Sequence, residues 1–138
     1  MTSYFTRIER LETLDNKTLF SLNQPRYGPI KYRYISTGAV YEGTWKGGFR
    51  DGFGTLIWSD GASYTGAWSL GHAHGDGKFI DKLGNIYEGP FYMSMAHGSI
   101  GRFTNIMGDS YVGSWKFDQK DGHGIEKWAS DNLSYEGE

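Results

Sequence analysis

The sequence predicts an all-β fold: a single-layered, twisted antiparallel sheet of tandem β-hairpin repeats, drawn out into an elongated curved trough. Three observations predict it. Tyr41, Tyr64, Tyr87, Tyr111 and Tyr135 recur in steps of 23, 23, 24 and 24 residues, and a fixed period of about 20–50 residues marks a stacked array whose units bury one another's cores. Gly occurs 21 times against 3 Pro, which separates the chain from collagens and proline-rich linkers. Aromatics make up 17% of residues, a load that disordered segments do not carry. Glycine and aromatic at fixed positions combine tight turns with short strands whose rings supply the buried area.

The first element, residues 1–25, is a short segment of irregular or partly helical character. Tyr4, Ile8 and Leu11 share one helical face, while Leu14 to Leu22 around Asp15-Asn16-Lys17 fit a hairpin equally well. Residues 26–40 read as a degenerate capping half-repeat. Gly28 precedes Tyr41 by the 13 residues that also separate Gly98 from Tyr111, and Tyr32 and Tyr34 fall in its strand.

Residues 41–138 form the array, with repeats 41–63, 64–86, 87–110 and 111–134 and a partial copy at 135–138. Each opens on a strand: Tyr41-Glu42-Gly43-Thr44-Trp45, Tyr64-Thr65-Gly66-Ala67-Trp68, Tyr87-Glu88-Gly89-Pro90-Phe91, Tyr111-Val112-Gly113-Ser114-Trp115. Residues i, i+2 and i+4 of a strand share a face, so Tyr, Gly and Trp or Phe point the same way. The gap over the glycine is one that a ring from a neighbouring strand can cover.

A second strand begins at Gly52, Gly75, Gly98 and Gly122 and continues through Gly54, Gly77, Gly101 and Gly124. The third copy is one residue longer between its two glycines, which places a bulge or bend there. Lys46 to Asp51, Ser69 to His74, Tyr92 to His97 and Lys116 to Asp121 are polar enough for hairpin connections. Large residues (Leu56 with Trp58, Phe79, Phe103, Trp128) fill the second strands. Each ends at a turn, strongest at Asp60-Gly61, with echoes at Leu83-Gly84-Asn85, Met107-Gly108-Asp109 and Asp131-Asn132. The fifth tyrosine stands just before Glu138. An open edge there implies further repeats, a neighbouring subunit or a homo-oligomer.

The formal charge of −2 argues against nucleic-acid binding, which needs a strong positive field. Lysine and arginine nonetheless exceed acids by six to three in residues 1–40 and fall short by eight to thirteen in residues 41–138. Arg26, Lys31 and Arg33, with Lys46 and Arg50 nearby, are the candidate patch for an acidic phospholipid or an acidic partner, set against a reading as solvated strand residues. With no Cys, disulfides, thiol nucleophiles and thiolate metal sites are excluded. No apolar run reaches the roughly 18 residues of a membrane span, and the first ten residues lack a signal-type stretch. The expected compartment is cytoplasmic.

His72, His74, His97 and His123 lie near turns without an accompanying carboxylate cluster and read as turn residues, not as metal ligands. Asp51, Asp60, Asp76, Asp109 and Asp121 recur at turns, where Asp bonds its own backbone, so they predict no catalytic pair. The glycines lack the following helix that a phosphate loop requires. No cofactor and no enzymatic activity are expected.

The composite Tyr-Glu-Gly-x-Trp-x-x-Gly-x-x-x-Gly-x-Gly, read from Tyr41 to Gly54, resembles the MORN (membrane occupation and recognition nexus) repeat, and the resemblance extends over residues 41–138. Phe91 for Trp, the adjoining Pro90 and the insertion between Gly98 and Gly101 depart from it. The resemblance implies a scaffold in ciliary, axonemal or other cytoskeletal assembly, raises the prior for peripheral membrane docking on phosphoinositides through the basic patch, and admits an accessory array of a larger enzyme.

A single layer cannot cover both of its faces. Tyr41, Trp45, Tyr64, Trp68, Tyr87, Phe91, Tyr111 and Trp115 are core by default, since large residues on one face of a strand usually pack the fold, but some of them are expected to line a groove for another protein, which would enter as an amphipathic helix or an added strand.

Overall fold

In the computed structural model, which describes residues 25–129 and 133–137, the chain is one antiparallel sheet with no helix among those residues. Its strands are β1 (Arg26–Arg33), β2 (Val40–Lys46), β3 (Phe49–Ile57), β4 (Ser63–Ser69), β5 (His72–Ile80), β6 (Ile86–Tyr92), β7 (Met95–Ala96), β8 (Gly98–Thr104), β9 (Ser110–Lys116), β10 (Gln119–Trp128) and β11 (Leu133–Gly137). They lie side by side in chain order, except that the short β7 pairs with β6 off the main path. The expected all-β, single-layered architecture is the observed one. The readings of Tyr4, Ile8, Leu11 and the segment 14–22 fall outside the described residues, as does the turn at Asp131-Asn132.

Two kinds of turn alternate along the two edges. On one edge Lys46 pairs Phe49, Ser69 pairs His72, Tyr92 pairs Met95 and Lys116 pairs Gln119. Only two residues close each loop. Both members have positive φ: Gly47 and Gly48, Leu70 and Gly71, Met93 and Ser94, Phe117 and Asp118. This is the turn whose twist suits antiparallel strands, but it forces five non-glycine residues into the left-handed region, at a cost of order 1 kcal/mol or more each. The polar stretches expected to form these connections are thus mostly strand, and Phe49, Arg50 and Asp51 are buried.

On the other edge the loops are longer and glycine supplies the left-handed residue once per loop. Gly61, Gly84 and Gly108 have φ of 94°, 98° and 90°, and their N–H groups donate to Trp58, Asp81 and Asn105 carbonyls at 3.0 Å. Asp60, Asp81 and Asn105 side chains accept from backbone N–H groups two residues on. Asp60-Gly61 therefore does mark a hairpin, closed by a three-residue loop with glycine in the left-handed position and not by a two-residue turn.

The register aligns one glycine from almost every strand. Gly43 pairs Gly54, Gly54 pairs Gly66, Gly66 pairs Gly77 and Gly77 pairs Gly89, and after the third repeat Gly101, Gly113, Gly124 and Gly137 continue the row. The irregularity expected in the third copy is present. The strand breaks at His97 into β7 and β8, and the β8–β9 register shifts between Gly98 and Gly101.

Candidate functional site

The eight rings assigned to a partner groove are the core of the protein. Tyr41, Tyr64 and Tyr87 are fully buried, and none of Trp45, Trp68, Phe91, Tyr111 and Trp115 exceeds 6% relative exposure. This corrects the expected open aromatic groove, and the glycine row gives the reason. Each tyrosine ring lies down over the glycine of its own strand and over that of the next, so the rings close the face themselves. A Cβ on Gly54 would sit 2.3 Å from the Tyr41 hydroxyl; the same distance separates Gly77 from the Tyr64 hydroxyl and Gly124 from Tyr111 Cε2. The covering ring thus comes from the same strand over Gly43, Gly66, Gly89 and Gly113, and from the neighbouring strand over Gly54, Gly77, Gly101 and Gly124.

Hydrogen bonds fix these ring positions. The phenols of Tyr41, Tyr64, Tyr87 and Tyr111 donate to the carbonyls of Thr44, Ala67, Pro90 and Ser114, three residues on, at 2.7–2.9 Å. The indoles of Trp45, Trp68 and Trp115 donate to Ile30, Gly54 and Gly101 carbonyls at 3.0, 3.1 and 3.0 Å. Edge-to-face contacts link the rings into one column, among them Tyr41–Trp68 at 5.5 Å, Tyr64–Phe91 at 5.1 Å and Tyr87–Trp115 at 5.1 Å. Burial pushes all four phenols above the ordinary tyrosine value, so they remain protonated donors. Leu56, Trp58 and Phe79 join this core and Phe103 packs against it, but Trp128 stays 37% exposed.

Successive two-residue turns are docked on one another by a repeated joint. Gly71, Ser94 and Asp118 donate their N–H to the carbonyls of Arg50, Ala73 and Ala96 at 2.8 Å. The preceding turn residue donates to a side chain of the earlier repeat: Leu70 to Asp51 Oδ1 at 3.0 Å, Met93 to His74 Nδ1 at 3.4 Å and Phe117 to His97 Nδ1 at 3.3 Å. His74 and His97 thus repeat the role of Asp51, which assigns their carried proton to Nε2. Ser94 Oγ and Asp118 Oδ1 return the contact by accepting from Ala73 and Ala96 N–H. Burial holds the Asp118 carboxyl above its ordinary value.

The joints carry an exposed ladder of rings: His74–Tyr92 at 5.2 Å, Tyr92–His97 at 5.7 Å and His97–Phe117 at 4.6 Å. Tyr92, Met93 and Phe117 are 49, 44 and 49% exposed. Sequence reasoning missed this edge. Its signal was present in the repeat alignment, since Leu70, Met93 and Phe117 occupy the same position in successive copies.

The basic patch is divided. Arg50 is a second correction. It is 2% exposed, its guanidinium lies 4.7 Å from the Trp68 ring centre, and Nη2 donates to Gly71 O at 2.8 Å, so it faces no external ligand. Arg26 Nε is 2.8 Å from Asp51 Oδ2. Lys31 and Arg33 are exposed, with Val40, Glu42, Thr55 and Ile57 beside them in an open depression of about 550 Å³. Lys46 sits across from Arg26. Gly52 and Gly75 adopt φ near 100°, and a Cβ on Gly98 would meet Pro90 Cγ at 2.3 Å. Among the described residues no three acidic or imidazole side chains gather as for a metal.

Of the carboxylates expected at turns, Asp60 and Asp109 accept from backbone N–H groups and Asp51 accepts from the next repeat's turn, whereas Asp76 and Asp121 lie within β5 and β10 and not at turns. Asn105 and the Ala129 N–H hold Asp109 below its ordinary value. Burial works against ionisation of Asp81, but the Asn85 amide and three backbone N–H groups outweigh it and lower that carboxyl too.

The family pattern described as the MORN repeat matches residues 41–63, 64–82 and 111–132. The third copy, with Phe91 in place of Trp and the break at His97, lies outside the matches. Comparison with curated proteins gives no match.

Proposed function

Because the chain is a MORN-repeat protein, we propose that it is a non-catalytic scaffold which holds an amphipathic helix of another protein, in a cytoskeletal or ciliary assembly. MORN repeats suggest a binding or scaffold module. The observation that carries the finer reading is the column Leu70, Met93 and Phe117 on the two-residue-turn edge, one apolar side chain per repeat, with Met93 and Phe117 about half exposed.

Spacing supports a helical ligand. One repeat advances the array by two strands, about 9.6 Å, and seven residues of helix advance about 10.5 Å. A helix lying along this edge therefore meets each repeat with one residue of an i, i+7 series. Tyr92, His74 and His97 flank the column with flat, weakly polar surface suited to such a contact.

The test is affinity capture with Met93→Ser and Phe117→Ser, alone and combined, whose far-UV and aromatic circular dichroism match the parent. Loss of a partner recovered by the parent supports the reading. Undiminished recovery with both substitutions overturns it.

A further inference from the structure

The sheet face opposite the buried rings carries side chains that the fold does not spend. Register places Thr65, Lys78, Glu88 and Arg102 next to one another on β4, β5, β6 and β8. A parallel row holds Ser63, Ile80, Ile86 and Thr104. The first row is exposed, and among the described residues Lys78, Glu88 and Arg102 enter no ion pair. Phe53, Ile100 and Ile57, on the same face by strand alternation, are 71, 70 and 49% exposed. Exposed apolar groups of this size, gathered on one face and interleaved with unspent charge of both signs, mark a contact surface.

The order of charges selects the occupant. A two-fold axis parallel to the strands and midway between β5 and β6 brings each β5 onto the β6 of a second copy and keeps each row facing itself. Lys78 then meets the partner subunit's Glu88, and Glu88 meets the partner subunit's Lys78. Ile80 and Ile86 cross in the same way at the centre. Farther out Thr65 meets the partner subunit's Arg102. No like charges oppose each other along the row.

We propose that this face is an isologous interface with a second copy of the chain, packed sheet on sheet about an axis between β5 and β6. Self-complementarity of this kind is what a two-fold contact requires, and opposite charges across it fix the alignment. Three side chains per strand, on strands about 4.8 Å apart and with about 7 Å between residues of one face, give roughly 400 Å² per copy over the four central strands β4, β5, β6 and β8. That is about half the roughly 800 Å² per partner of a standard-size complex, so the contact is a weak one that forms at high protein concentration. Twisted sheets pack with their strands within about 30°, so β4, β5, β6 and β8 make the closest contact. The turn edge stays open on both copies.

The test is the mass of the full chain in solution, by sedimentation equilibrium and light scattering, with charge reversals at the centre. The parent is expected at twice the mass of one chain. Lys78→Glu and Glu88→Lys each set two pairs of like charges across the axis, and each variant alone is expected at half the parental mass with unchanged circular dichroism. Mixing the two variants restores opposite charges between copies while leaving each chain's own Lys78–Glu88 neighbour relation broken, and is expected to restore the twofold mass as a heterodimer. A monomeric parent at about 100 μM, within reach of ordinary associations, overturns the proposal, as does a single reversal that stays dimeric. Failure of the mixed variants to associate overturns it as well.

Discussion

Gly54→Ala is the sharpest perturbation of the packing described above. The glycine has an ordinary backbone conformation, so an alanine is not refused by φ. What refuses it is the ring overhead. The new Cβ would lie 2.3 Å from the Tyr41 hydroxyl, 2.4 Å from Cζ and 2.6 Å from Cε1. The ring cannot swing clear without breaking the Tyr41 phenol bond to Thr44 O at 2.9 Å and the edge contact with Trp68 at 5.5 Å. Overpacking costs about 1–3 kcal/mol, and the displaced hydrogen bond adds about 1 kcal/mol. The expected loss is therefore about 2–4 kcal/mol, or a fall of roughly 6–15 °C in Tm for a domain of this size. Urea unfolding followed by tryptophan fluorescence measures it directly. Gly61→Ala is the control, since nothing lies within 4 Å of its Cβ and only its φ of 94° is unfavourable; it should cost about 1 kcal/mol. If Gly54→Ala costs less than Gly61→Ala, the ring-over-glycine account is wrong.

Trp68→Phe deletes the bond to Gly54 O and also leaves a void where the larger indole packed against Tyr41, Tyr64 and Arg50, so urea unfolding should show a loss of about 2–4 kcal/mol, and no loss would contradict the assigned packing. His97→Ala should cost a similar amount by removing the acceptor of the Phe117 N–H, whereas His97→Asn, which keeps an acceptor at that reach, should recover part of the loss; equal losses would refute the joint. For Asp118 the folded-state pKa is raised above the unfolded value, so its contribution is complete below about 3.8 and is lost as pH rises through the folded value. Asp118→Asn keeps the acceptor for Ala96 N–H and removes the buried charge. Its Tm at pH 7 should equal or exceed the parent's, with the difference moving against the variant as pH falls toward 4, and a variant less stable at pH 7 than at pH 4 relative to the parent would reverse the assignment.

The hairpin array was legible because its determinants are local. Tyr, Gly and Trp at alternate positions name a strand face, and Asp60-Gly61 names a loop. The rings' destination was not. Whether Tyr41 stands up into a groove or lies down over Gly43 and Gly54 depends on the cross-strand register, which aligns glycine against glycine and leaves a bare strip of backbone that a ring can fill. The two-residue turns were hidden for a related reason. Leu70, Met93 and Phe117 have no preference for positive φ, and they adopt it because Asp51, His74 and His97, contributed by the repeat before, accept their N–H groups. Arg50 read as surface charge for the same want of tertiary information: its neighbours Trp68 and Gly71 are 18 and 21 residues away in the sequence.

The turn-on-turn joint makes the repeats interchangeable parts. Each presents two N–H groups backward and offers a carbonyl with an acceptor side chain forward, and Asp51 and His74 fill the forward role alike. Removing residues 64–86 would set the Met93-Ser94 turn against Arg50 and Asp51, with Gly89 beside Gly54 where Gly66 had been. Length in this protein is therefore adjustable in whole repeats, while a change of one residue must be absorbed as the third copy absorbs its extra one, by a break in the strand at the edge that leaves the row of glycines aligned.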